Sequence, residues 1–166
     1  LGQLKVETAG AALQNLNPET RLQTVNRRMT DTDMQAIFPG CDLVIDASDN
    51  YGTRLAVNRN TMTLKVPWIM ASCIRMEGQI MLMRPDLHDQ ACYRCVYGSS
   101  PDTLEDCPGA GIFAPVAGII GTSAAYFALA YLAGQKTPKG LQLFDAGSWQ
   151  WQTLKTNKNP DCKDCS

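Results

Sequence analysis

Cys92-Tyr93-Arg94-Cys95 and Cys162-Lys163-Asp164-Cys165 are two Cys-x-x-Cys turns placed far apart in the chain. Each presents two thiolates at a spacing that suits two corners of a tetrahedron, and together they complete a closed four-sulfur zinc site. Such a site constrains the fold strongly, because the last residues must return to meet the middle of the chain. Four protein ligands leave no position for a substrate, so the metal's role is structural. Two disulfides or free thiols are the competing reading. The seven cysteines are an odd number, and the chain is larger than a typical disulfide scaffold, which favours metal in a reducing cytoplasm. His88 lies near the first knuckle but reads as a loop residue, since four thiolates already suffice.

With 166 residues, of which 45% are hydrophobic, the chain can bury one real core. A net charge of −1 provides no basic field for nucleic acid or an anionic membrane. The stretch from Ile112 to Gly134 is uncharged, so a membrane helix has to be weighed. Its small residues and Pro115 favour a buried helix of a soluble domain over a membrane span.

Val6, Ala9, Leu13 and Leu16 recur at helical spacing, and Asn17-Pro18 ends that helix. Residues Arg21 to Arg27 alternate as a short strand would. Thr30 to Ile37 opens with capping chemistry and reads as a short helix, broken by Pro39-Gly40. Cys41 to Ala47 is a compact apolar run that resembles a buried parallel strand. A helix follows, with Tyr51, Leu55 and Met62 on one face, and then a strand from Val66 to Ser72. This order marks an α/β domain with a parallel sheet. Gln79 to Met83 comes too soon for a crossover helix and implies antiparallel pairing. Leu141 to Asp145 and Trp149 to Leu154 form a hairpin. The expected fold is therefore a Rossmann-like parallel sheet continuing into a mixed, antiparallel one.

Asp46-Ala47-Ser48-Asp49-Asn50 sits where a strand ends and a helix begins. Ligands in open α/β sheets gather there, and a carboxylate at that position can hold Mg²⁺ on nucleotide phosphates. Capping of the helix by Asp49 or Asn50 is the equally weighted alternative. Cys107 belongs to neither Cys-x-x-Cys pair. A loop ahead of a helix can activate a thiol, but Glu105 and Asp106 oppose this, and spacing alone favours a spectator. Cys41 and Cys73 read as inert thiols in or beside apolar strands. Lys5 starts a helix and would matter only with a phosphate nearby.

Five segments then fall into one register. They are Gly2-Gln3-x-Lys5-Val6-Glu7; Asp46-x-Ser48-Asp49-Asn50 with Thr53-Arg54; Ile74-Arg75-Met76-Glu77-Gly78-Gln79; Cys92-Tyr93-x-Cys95; and Cys162-x-x-Cys165. The chain resembles the ThiF/MoeB/HesA family of ubiquitin-activating-like adenylyltransferases, across the C-terminal two-thirds of such an enzyme. The resemblance implies ATP and Mg²⁺ as reactants, adenylation of the C-terminal glycine of a ubiquitin-like sulfur-carrier protein, and a homodimer. It implies that Lys5 contacts the ATP phosphates, that Asp49 supports Mg²⁺ with Asn50 in the same loop, and that Cys92, Cys95, Cys162 and Cys165 hold zinc. It also places Cys107 where thiamine-branch enzymes carry a sulfur-linking cysteine.

The family's Gly-rich first βα turn does not occur in these residues. The expectation is thus one ThiF-type domain over residues 1–166, lacking its N-terminal βα unit and inactive alone because the phosphates lose their backbone donors. Arg75 to Gln79 look like the molybdopterin enzymes. Lys136-Thr137-Pro138, Leu143-Phe144-Asp145 and Trp151 look more like the thiamine ones, which are slightly favoured. A non-catalytic, zinc-stabilised binding module is the alternative. A Rossmann oxidoreductase fragment fits less well, because the Gly-rich dinucleotide turn is absent from these residues.

Overall fold

The computed structural model describes residues 2–98 and 111–166. The chain divides into two compact units, Leu1–Thr30 and Asp31–Ser166.

The first unit holds helix α1, Lys5–Leu16. Glu7 lies in its first turn, where it complements the helix dipole. Asn17 leaves the helix in an extended conformation, as a residue before proline prefers. The expected apolar stripe is present but uncovered, with Leu13 and Leu16 exposed. The strand expected over Arg21 to Arg27 does not form. Alternation over a few residues is not enough, because a strand also needs a partner for its backbone groups.

The second unit begins with helix α2, Asp31–Ile37, and a 3₁₀ turn, Phe38–Gly40. Then come strand β1, Val44–Asp46; helix α3, Tyr51–Leu64; and strands β2, Trp68–Ile74, and β3, Glu77–Met83. The short helix α4, Tyr93–Tyr97, precedes the long helix α5, Ala114–Leu132, and the hairpin of β4, Leu141–Asp145, and β5, Gln150–Leu154. The strands lie in sequential order β1-β2-β3-β4-β5. β1 pairs with β2 in parallel, and every later pair is antiparallel, so the expected mixed sheet is present. The run from Cys41 to Ala47 yields a strand of only three residues, and Ile45 is half exposed rather than buried. A strand at a sheet edge has only one neighbour to cover it.

Pairing register explains how the core divides. Ile69 faces Leu82 and Ala71 faces Ile80. These four side chains share one face of the sheet and pack with Val116, Ile120, Ala124, Phe127 and Ala128 of α5 and with Phe144. The alternate residues Trp68, Met70, Met81 and Met83 point to the other face and are also fully buried. Two covered faces explain why β2 and β3 read as continuous apolar runs. Burying each large side chain on the α5 stripe contributes about 1.5–3 kcal/mol. By length and composition α5 would suffice to cross a membrane. One side of it is instead committed to the sheet, while Tyr126, Leu129 and Leu132 on the other side are exposed.

Gly78 lets α5 approach β3. A Cβ built there would stand 2.3 Å from Ile120 Cγ1 and 3.4 Å from Val116 Cγ1. The entry to α5 is tied to the β2–β3 turn: Arg75 N–H donates to Gly111 O at 3.0 Å, and Phe113 N–H donates to Arg75 O at 2.8 Å.

Candidate functional site

Two polar centres flank helix α3. The first is the end of β1. Asp46 Oδ1 accepts the Ser48 N–H at 2.8 Å, turning the chain sharply as it leaves the sheet. Asn50 caps α3, its Oδ1 accepting the Thr53 N–H at 2.8 Å. The cap is thus assigned to Asn50 and not to Asp49. The Asp49 carboxylate is exposed at the carboxyl end of β1, and its Oδ1 accepts a hydrogen bond from Asn50 Nδ2 at 3.4 Å.

Arg54, one turn into α3, donates from Nη2 to the Ser48 carbonyl at 2.5 Å. Around it, Asp46 Oδ2 and Ser48 Oγ are buried with no hydrogen-bond partner among the described residues. Leaving such groups unmatched costs about 1–3 kcal/mol each. Burial raises the Tyr93 hydroxyl pKa against the pull of the Arg54 charge. It raises the Cys73 thiol in the same way. Tyr97 donates a short hydrogen bond to Gln79 Oε1 beside them, and burial pushes its pKa up as well. Unmatched donors and acceptors at a parallel strand's carboxyl end suit a polar, charged ligand.

The second centre is the four-cysteine cluster. Its sulfurs all lie within 4.8 Å of one another. Cys92 and Cys95 Sγ are 3.7 Å apart, Cys92 and Cys162 3.6 Å, and Cys95 and Cys165 3.4 Å. A tetrahedron with Zn–S bonds of about 2.3 Å has edges of about 3.8 Å, whereas a disulfide needs about 2.05 Å. The residues present therefore fit a tetrahedral thiophilic metal, and the six described cysteines form no disulfide. Burial and the neighbouring sulfurs raise the Cys92 thiol and push Cys165 up to about 12. Burial opposes ionisation at Cys95 too, but hydrogen bonds from Asn159 and Cys92 outweigh it, so its pKa is lowered. A divalent cation reverses such penalties, because it deprotonates the thiols that bind it.

Local hydrogen bonding shapes both knuckles. Cys92 caps α4, and Cys95 N–H donates to Cys92 O at 3.1 Å. On the second knuckle, Ser166 N–H donates to Cys162 O at 3.0 Å, and Asn159 N–H reaches Cys95 Sγ at 3.4 Å. Arg94 and Asp164 pair at 2.9 Å across the two turns, which holds Arg94 above its ordinary value.

Of the residues singled out by sequence, the second unit brings the four cysteines together and sets Asp49 and Asn50 at one turn. Lys5 is the first residue of α1 in the first unit. Cys107 lies outside the described residues. His88 is an exposed loop residue, and its carbonyl accepts a hydrogen bond from Lys158 at 3.2 Å. Cys41 and Cys73 are half-buried, not core. An open, mostly apolar cleft of about 760 Å³ lies against α5, between Pro115, Tyr126, Phe127, Pro138 and Trp151.

Sequence reasoning missed Asn58, and it named Arg54 only as part of a motif. The expected α3 stripe of Tyr51, Leu55 and Met62 passes directly through Asn58. That residue is fully buried, and Asn60 and Thr61 are buried beside it. An amide in the middle of an apolar stripe was the available signal.

The ThiF family pattern matches residues 1–164. The chain is 36% identical to a molybdopterin-synthase adenylyltransferase of Salmonella typhimurium, covering 99% of this chain and 67% of that protein. It is 34% identical to the sulfur carrier protein ThiS adenylyltransferase of Escherichia coli, covering 97% of this chain and 64% of that one. A crystal structure of Escherichia coli MccB with ATP shares the fold at a TM-score of 0.83 and 17% identity, over 100% of this chain and 52% of that one. The chain thus spans about two thirds of these curated relatives and about half of the solved enzyme.

Proposed function

The chain belongs to the ThiF family, and from that premise we propose that it is part of an ATP-dependent adenylyltransferase. Its substrate is the C-terminal glycine carboxylate of a ubiquitin-like sulfur-carrier protein. The observation that carries this reading is the division of labour at the end of β1: Asn50 caps α3, and the Asp49 carboxylate stays exposed beside buried, unmatched polar groups.

The chemistry follows from the carboxylate being a poor electrophile. Its oxygen attacks the α-phosphorus of ATP, the bond to pyrophosphate breaks, and an acyl-adenylate results. A bound Mg²⁺ would supply neutralisation of the phosphate charge. Asp49 would hold that ion, with Asn50 fixing the loop, and Lys5 would contact the phosphates. The acyl-adenylate is then open to sulfur, and Cys107 is the candidate for that link.

Zinc is the metal proposed for Cys92, Cys95, Cys162 and Cys165, on the sulfur spacing and the all-thiolate donor set. The exposed apolar side of α5 supports the homodimer implied by the family, and the cleft beside Trp151 supports carrier docking. Six described cysteines that remain thiols suit the cytoplasm. Relatives from both pathways match almost equally. Lys136-Thr137-Pro138, Leu143-Phe144-Asp145 and Trp151 favour the thiamine carrier over the molybdopterin one. We further read residues 1–166 as one ThiF-type domain that needs a Gly-rich phosphate turn to act.

ATP–pyrophosphate exchange tests the reading. In an enzyme that carries the phosphate turn, Asp49→Ala is expected to lower carrier-dependent exchange by about 10²–10³-fold, with zinc content unchanged. Undiminished exchange would favour a non-catalytic binding module. The 166-residue chain with carrier is expected to show none.

A further inference from the structure

Asn58 occupies a position that the adenylation chemistry does not use. It sits two turns into α3, fully buried, and each polar atom of its side chain is engaged. Oδ1 accepts the Tyr93 N–H at 2.9 Å. Nδ2 donates to Asp164 Oδ2 at 2.7 Å and reaches Cys92 Sγ at 3.7 Å. These partners also fix the amide's orientation, since only oxygen can receive a backbone N–H.

One side chain on α3 therefore grips both knuckles and one of the four sulfurs. Tyr93 follows the first ligand of knuckle one, and Asp164 precedes the last ligand of knuckle two. Asp164 is held from its other side by Arg94 at 2.9 Å, with only 5% of its side chain exposed. The same helix is capped by Asn50, at the turn that leaves β1. The tail thus reaches the carboxyl end of β1 through a single helix.

We propose that Asn58 is the positioning residue of the four-cysteine centre, and that it couples metal occupancy to the order of helix α3. The inference rests on the zinc reading above. An amide N–H aimed at a ligating thiolate draws charge off the sulfur and fixes its lone pairs. Partners of this kind are worth about 10–100-fold in metal affinity. Because Asn58 also spans the two knuckles, it preorganises them before the ion arrives, which lowers the ordering cost of binding.

The test uses the whole chain with zinc or cobalt(II). Wild type should bind one ion per chain. Asn58→Ala is expected to weaken zinc about 10–100-fold in chelator competition and to shift the sulfur-to-cobalt charge-transfer band, a change that loss of general stability would not cause. Amide exchange of residues 57–61 should slow on metal loading in wild type and not in the variant. Should Asn58→Ala fail to fold, Asp164→Ala removes the same link from the tail side and is expected to weaken zinc about 10-fold. A variant that folds, holds zinc as tightly as wild type and keeps its cobalt spectrum overturns the role of Asn58 while leaving the zinc centre standing. A wild-type chain that binds no metal overturns both.

Discussion

The middle of helix α3 and its N-terminal end treat buried polarity in opposite ways. Toward the cysteine cluster, Asn58, Tyr93 N–H, Asp164 and Arg94 satisfy one another. Toward β1, Asp46 Oδ2 and Ser48 Oγ are buried and unmatched among the described residues. A satisfied network fixes geometry, and an unsatisfied one stores a penalty that a ligand can relieve. The difference separates the corner that holds the fold together from the corner suited to bind. It also shows why burial alone cannot identify a functional residue: Asn58 and Asp46 are both buried, and only their partners distinguish them.

The largest expected effect tests the satisfied corner. Cys162→Ser should remove the ion and destabilise the chain by several kcal/mol, because metal binding is folding free energy in such sites. Metal analysis and denaturant unfolding would measure it. A folded, metal-free chain of wild-type stability would break the contrast. Next comes Gly78→Ala, which lies at neither corner. Its Cβ would collide with Ile120, at a cost of about 1–3 kcal/mol. It should lower the unfolding midpoint while leaving zinc affinity intact, which makes it the control for effects transmitted by stability alone.

Asp46→Asn sharpens the unsatisfied corner. It keeps an oxygen for the Ser48 N–H and removes a buried, half-matched carboxylate. The ligand-free chain is expected to gain about 1 kcal/mol, or about 2–4 °C in midpoint, while exchange activity in the enzyme that carries the phosphate turn falls. A loss of stability would show that the carboxylate is already satisfied without ligand.

The smallest effect lies on the outer side of α3. Asp31 is held below the usual carboxylate range by its hydrogen bond from Asn60, assisted by Arg59. A depressed folded-state value contributes stability above the unfolded pKa, near 3.9. That contribution is lost as pH falls through the lower folded value. The pair is half exposed, so Asp31→Asn should cost at most about 1 kcal/mol near neutrality. The difference from wild type should vanish in acid, as denaturant midpoints at several pH values would show.

Elements with many equivalent contacts were legible in advance. The runs around Val66 to Ser72 and Gln79 to Met83 and the strand Leu141 to Asp145 became β2, β3 and β4, because their apolar content was large enough to fix partner and register, and exposed β5 followed from the short turn that pairs it with β4. Failures clustered where the outcome depends on a neighbour. Arg21 to Arg27 had alternation without a partner strand. Cys41 to Ala47 had an apolar run that ended up at the sheet edge, where Ile45 is exposed. The α3 stripe was right in direction, but its centre was filled by Asn58.

The cysteine spacing by itself determined that two knuckles exist, since two thiolates three residues apart share a turn whatever surrounds them. Sequence also placed Asp49 and Asn50 at a strand-to-helix junction, but left cap and ligand as equal choices. Tertiary structure decided that the four sulfurs meet, that Asn50 rather than Asp49 takes the cap, and that Asn58 spans the knuckles. The physical reason is range. Knuckle turns are set by residues a few positions apart and two adjacent side chains can compete for one cap, whereas Asn58, Cys92 and Asp164 meet only after the sheet has brought distant segments together.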